Sequence, residues 1–164
     1  MKPKQPNPGE SVAELNPELA KEWSPTKNGG LKPEDVRAYS HRKVWWECPM
    51  GDDHVWQATV ADRSNGCGCS ICSGRKTVNS NCLATVKPDL AKEWHSARNG
   101  DLTPYDVSVY SNKKVWWQCS AGKDHEWIST VYNRSFGRGC PVCSNKKVVN
   151  SNCLATVNPE LTKE

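Results

Sequence analysis

The chain has 164 residues, a formal net charge of +4, 36% hydrophobic residues and a mean hydropathy of -0.76. No apolar run approaches the roughly 20 residues that a membrane-spanning helix needs, which excludes an integral helical membrane protein. Nine cysteines in so short a chain leave a disulfide framework or metal binding as the two ways of holding a small core together.

The first residues, Met1 to Pro6, are polar and carry no hydrophobic signal-peptide core, so residues 1–10 read as a flexible N-terminal tail. From there the chain repeats with a period of 71 residues and no insertion or deletion. Residues 11–81 read as a first repeat, 82–152 as a second, and 153–164 as a partial third repeat or a C-terminal cap helix. NPELAKEW at 16–23 returns as KPDLAKEW at 87–94 and as NPELTKE at 158–164.

Each copy opens on a predicted short helix. Asn16 caps it, Pro17 sits in its first turn, and Leu15, Leu19 and Trp23 make an i, i+4, i+8 stripe. Pro88, Leu90 and Trp94 repeat that pattern. Asn28-Gly29-Gly30 and Asn99-Gly100 end these regions as turns, and residues 33–36 and 104–107 read as a further helical turn. A strand over 44–48, a turn at Gly51-Asp52-Asp53 and a strand over 54–60 then form a hairpin, with His54, Trp56, Ala58 and Val60 on one face. Residues 115–119, Gly122-Lys123-Asp124 and 125–131 repeat it. A glycine-rich segment leads into a CxxC knuckle, so the fold class is a small α+β tandem repeat stabilised by zinc.

The metal reading rests on spacing. Cys48, His54, Cys69 and Cys72 follow Cys-x5-His-x14-Cys-x2-Cys, and Cys119, His125, Cys140 and Cys143 repeat it. Three soft thiolates and an imidazole make a closed tetrahedral set suited to structural Zn²⁺, one ion per repeat. A closed set has no open position for water, so the reading is non-enzymatic. An odd cysteine count, with the pattern completed only by histidines, favours thiolates in an intracellular reducing compartment over disulfides. Three thiolates per divalent ion bring the formal +4 down to about +2 in the loaded protein. Cys67 aligns with Arg138 and so lies outside the shared ligand set. Cys82 and Cys153 align with Ser11 and read as small buried residues near the first helix, and His41 and His95 as surface histidines.

The eight tryptophans fall four to a copy and suit a core built of indoles around a metal. Adjacent residues of a strand point to opposite faces. One of Trp45/Trp46, and one of Trp116/Trp117, is therefore a candidate for stacking on a base or a partner. Arg42, Lys43, Arg63, Arg75 and Lys76 flank the hairpin and knuckle of copy one. Lys113, Lys114, Arg134, Arg138, Lys146 and Lys147 do so in copy two, and all are candidate phosphate contacts. Copy one holds nine Lys/Arg against nine Asp/Glu and copy two ten against six, so copy two is the better anion-facing surface. The leading reading is a module that binds DNA through its phosphate backbone with weak sequence preference. RNA or single strands, or a protein partner docking on the exposed tryptophans, are the alternatives.

The segments NPELAKEW…NGGLKPEDV…KVWWECPMGDDHVWQATVADRSNGCGCSIC and KPDLAKEW…NGDLTPYDV…KVWWQCSAGKDHEWISTVYNRSFGRGCPVC resemble the zinc-ribbon or treble-clef repeat domains of bacteria, plants and large DNA viruses. Some members of that family are joined to very-short-patch-repair-like endonucleases. The resemblance covers nearly everything after the first ten residues. It implies a zinc-ribbon or treble-clef fold, the eight Cys and His residues above as ligands, and a nucleic-acid-associated role. Two departures are visible: a longer turn before each histidine than the family's Gly-His form, and Cys67-Gly68-Cys69-Ser70 where Gly-Cys-Pro is usual.

Overall fold

A computed structural model describes residues 5–162. Residues 1–4 of the expected tail and 163–164 of the third copy lie outside the described residues. The chain divides after Lys76 into two units, each built from elements of three to five residues. In unit 1, α1 (Val12–Leu15) begins at Ser11 in a capping box: the Ser11 Oγ accepts from the Glu14 N–H, and the Glu14 carboxylate accepts from the Ser11 N–H. The Ser11 hydroxyl, with the Gly9 and Ser11 amides, holds the Glu14 carboxyl below its ordinary range. Asn16 then leaves helical geometry (φ -135°, ψ 65°), and Pro17 opens α2 (Pro17–Ala20). The expected single helix is thus two short turns. The apolar stripe is broken with it, for Leu15 is exposed and Trp23 reaches the core from beyond α2.

The stretch after α2 runs beside β1 (Lys43–Glu47), with Ser24 N–H donating to Trp45 O and Glu47 N–H to Glu22 O. β1 pairs antiparallel with β2 (Val55–Thr59), Trp46 opposite Trp56. Alternation along β1 sends Val44 and Trp46 inward and leaves Trp45 and Glu47 half-buried. Trp23 meets Trp46 edge-on at 5.3 Å and 79°. Their indole N–H groups donate to Leu31 O and Ala58 O, so neither buried donor is left unpaired.

The second strand stops sooner than its alternation suggests. Thr59 caps α3 (Val60–Ser64), its Oγ1 accepting from the Asp62 N–H, so Val60 and Ala61 enter the core from a helix. The signal was present as Thr59-x-x-Asp62, but an apolar Val60 in phase with the strand masked it.

Unit 2 repeats this with α4 (Leu83–Val86), α5 (Pro88–Ala91), β3 (Lys114–Gln118), β4 (Glu126–Thr130) and α6 (Val131–Ser135). Trp117 pairs with Trp127 and packs edge-on against Trp94 at 5.5 Å and 78°. Around them Leu83, Val107, Val115, Val131 and Val142 are buried. The expected helical turn is a 3₁₀ turn at Pro33–Asp35 in unit 1 but a non-helical turn over 104–107 in unit 2. The third copy supplies α7 (Leu154–Val157) and a 3₁₀ turn at Pro159–Thr162, with Leu154, Val157 and Leu161 exposed. Among the described residues no helix is long and apolar enough to cross a membrane.

Candidate metal centres

The hairpin presents its ligands from the two sides of one tight turn. Cys48 follows β1, His54 precedes β2, and the Cys48 N–H donates to His54 O at 3.0 Å, extending the ladder past the last strand residues. Gly51 is needed between them, because a Cβ there would stand 2.9 Å from His54 Cδ2; at Gly122 it would stand 2.7 Å from His125 Cδ2. The longer turn still brings the imidazole back over its own glycine. The other pair comes from the loop after α3, where Ile71, between Cys69 and Cys72, is buried and anchors the knuckle; Val142 does the same between Cys140 and Cys143.

The side chains converge. The donor atoms of Cys48, His54, Cys69 and Cys72 all lie within 4.8 Å of one another, as do those of Cys119, His125, Cys140 and Cys143. In each cluster the first and last sulfurs are 3.7 Å apart. A disulfide needs about 2.05 Å, whereas two thiolates about 2.3 Å from one zinc stand about 3.8 Å apart across a tetrahedral edge. His54 Nδ1 is 3.9 Å from Cys69 Sγ and 3.3 Å from Cys72 Sγ, and His125 Nδ1 is 3.8 Å and 3.3 Å from its pair. Both clusters can therefore coordinate a metal ion, with Nδ1 as the imidazole donor, and the Cys3His set fits zinc. Burial and the neighbouring Cys48 and Cys69 push the Cys72 thiol up to about 12. The neighbouring Cys119, then burial and Cys140, push Cys143 to about 11. Crowded thiols resist becoming thiolates together unless a cation lies among them.

If Nδ1 faces the metal, Nε2 carries the proton. In unit 2 that proton has an acceptor in Ser151 Oγ at 3.3 Å, and the Ser151 N–H donates to Asp124 Oδ2 at 2.8 Å. Ser151 lies in a 3₁₀ turn, Asn150–Asn152, and sequence spacing did not single it out. Groups that orient a metal-binding imidazole are worth about 10- to 100-fold in affinity. Ser151→Ala is expected to weaken zinc binding at the second cluster about ten-fold, measured by chelator competition; an unchanged affinity would remove Ser151 from the site.

The candidate nucleic-acid residues separate into two groups. Arg42, Lys43, Arg75, Lys76, Lys113, Lys114, Arg138, Lys146 and Lys147 are exposed. Lys76 Nζ donates to Val55 O and Lys147 Nζ to Glu126 O, tying each knuckle loop to its hairpin. Arg63 and Arg134, expected on the same rim, are instead buried. Each pairs with a glutamate from the start of its unit, Glu22 or Glu93, and donates to the loop carbonyl of Cys67 or Arg138. Arg63 lies 5.3 Å from the ring centres of both Trp46 and Trp56, and Arg134 lies 5.4 and 5.2 Å from Trp117 and Trp127. Strand alternation that continues in phase past Thr59 hides the helix that turns them inward.

Of the tryptophan candidates for stacking, Trp46 and Trp117 are fully buried, and Trp45 and Trp116 are half-buried. A cation already covers each of the latter, Lys27 Nζ at 5.1 Å and Arg98 Cζ at 4.4 Å. The backbone at these positions is pinned by Asn28 and Asn99, whose amides both donate to and accept from the Trp45 and Trp116 peptides. By sequence those asparagines read only as turn residues. His95 is not on the surface: it is buried, with Nε2 3.0 Å from Glu126 Oε1 and Nδ1 accepting from the Ala97 N–H. Ser24, its counterpart, donates to Glu47 instead. Cys82 is buried as expected, whereas Cys153 is only half-buried.

Comparison with protein families finds the Probable Treble clef zinc finger domain matched twice, over residues 19–75 and 90–146. The two matches share the period of the repeat and enclose both four-residue clusters. No curated protein matches the chain.

Proposed function

The chain belongs to the probable treble clef zinc finger domain family in both of its units, and from that premise we propose that it is a non-enzymatic tandem module that binds DNA through the phosphate backbone. Cys48, His54, Cys69 and Cys72 hold one structural Zn²⁺, and Cys119, His125, Cys140 and Cys143 hold a second. The observation that carries the reading is the exposure of nine cationic side chains along the hairpins and knuckles while the two buried arginines are consumed in packing. Arg42-Lys43 and Lys113-Lys114 lie at the start of each hairpin, and Arg75-Lys76 and Lys146-Lys147 lie just past each knuckle. Zinc holds hairpin and knuckle in a fixed relation, so these cations keep a fixed spacing against phosphates. Linked units then raise affinity by effective concentration without base-specific contacts.

Fluorescence anisotropy of zinc-loaded protein with labelled duplex DNA, from about 50 to 300 mM salt, tests this. A steep negative slope of log affinity on log salt is expected. K113E/K114E in the more basic unit is expected to weaken binding about ten-fold and flatten the slope by about 2, since each lost phosphate contact removes about 0.9. R42E/K43E should cost less. No binding at the low-salt end overturns the reading and moves the weight to a protein partner.

A further inference from the structure

The two units diverge most pointedly along one helix. Where α3 and its following loop carry Ala61, Asp62, Asn65 and Cys67, α6 and its loop carry Tyr132, Asn133, Phe136 and Arg138. One set of exchanges adds two aromatic rings, deletes an acid and adds a cation. The rings are not used in the core: Tyr132 is 44% exposed and Phe136 57%. They join a third exposed ring, Tyr110 at 52%, with Phe136 centred 4.6 Å from Tyr132 and 5.7 Å from Tyr110. In unit 1 the corresponding Tyr39 is exposed without ring neighbours at 61 and 65.

Cations frame this surface by direct backbone connection. The Tyr132 N–H donates to Ser111 O and the Val131 N–H to Lys113 O, which docks the start of α6 on the segment leading to Lys113 and Lys114. Beyond Phe136 the Arg138 N–H donates to Asn133 O, closing the helix with another exposed cation. Exposed aromatic faces beside cations suit a base that is free to leave its own stack, because every base has a π-face and its phosphate remains close by. A paired duplex offers no such face along its length.

We propose that Tyr110, Tyr132 and Phe136 form a stacking platform for unpaired nucleotides, single-stranded DNA or RNA, built into unit 2 alone. The proposal rests on the nucleic-acid reading above and adds a strand preference to it. The platform is built from residues other than the hairpin tryptophans, of which one in each adjacent pair is the stacking candidate by sequence.

The test is the double variant Y132A/F136N, which installs the residues unit 1 already carries. Anisotropy with labelled oligo-dT, oligo-rU and a duplex of equal length compares it with the intact protein, with zinc content measured on both. We expect affinity for single strands to fall about ten-fold or more, with duplex affinity and zinc content unchanged. The salt slope should also stay unchanged, because the lost contacts are uncharged. The stronger of the dT and rU effects identifies the polymer served. Unaltered single-strand affinity, or an equal loss on duplex, overturns the platform. Self-association of the intact protein in sedimentation that the variant lacks overturns it too, assigning the rings to a second copy of the chain. If the intact protein binds duplex but no single strand, the platform fails and the proposed function stands; if it binds neither, both fail.

Discussion

Cys140→Ser is expected to unfold unit 2 and to lower the bound zinc from two ions per chain to one. Structural zinc contributes about 10–16 kcal/mol in small metal-dependent domains, comparable with the whole stability of about 5–15 kcal/mol of an ordinary domain. The core of unit 2 is a single layer around Trp117 and Trp127, and Cys140 and Val142 belong to it. Loss of the knuckle therefore exposes the same indoles that the hairpin buries. Metal analysis and near-ultraviolet circular dichroism of the tryptophans would read both effects; a retained aromatic signal with one ion lost would show that the core stands without metal. Acid should act as the substitution does. The Cys72 thiol, pushed up to about 12 by burial and by Cys48 and Cys69, and the Cys143 thiol, pushed up to about 11 by Cys119, burial and Cys140, hold their protons firmly in the absence of metal. Metal binding must expel those protons, so lowering pH favours the proton-bound, metal-free form and zinc affinity falls. With three thiols per cluster the fall can reach about a thousand-fold per pH unit. Chelator competition across pH 5.5 to 8 measures it.

Arg63→Ala is expected to destabilise unit 1 by about 3 kcal/mol, a drop in melting temperature of roughly 10–20 °C. Its guanidinium joins three parts of the unit that share no sequence neighbourhood: Glu22 from the first segment, Trp46 and Trp56 from the hairpin, and Cys67 in the loop before the knuckle. Removing it strands the carboxylate of Glu22, whose side chain is only 28% exposed, and leaves space between the indoles. Arg63→Lys should not rescue, because an ammonium cannot span a carboxylate and a carbonyl in one plane while lying over two rings. Exposed Arg75, close to the same knuckle, is the control and should change stability by less than about 0.5 kcal/mol on replacement. A loss below about 1 kcal/mol for Arg63→Ala would return it to the solvated rim.

What the residues determined alone were the features that depend on spacing. The 71-residue period, the Cys-x5-His-x14-Cys-x2-Cys pattern and the alternation through Trp45 and Trp46 specify the repeat, the ligand clusters and that neighbouring tryptophans take opposite faces of a strand. Those relations are local, or repeated twice, and a repeated accident is rare. The tertiary structure decided which of two similar side chains goes inside. Arg42 and Arg63 are alike in type and both flank strands, yet only Arg63 follows a Thr59-capped turn of helix that rotates it onto the indoles. His95 is buried because Glu126 stands across from it, a pairing between residues 31 positions apart. Tyr132 and Phe136 are exposed, although at the first of these positions unit 1 buries the small Ala61. Burial of a polar or aromatic side chain depends on what long-range packing sets opposite it, and that partner is fixed only when the chain has folded.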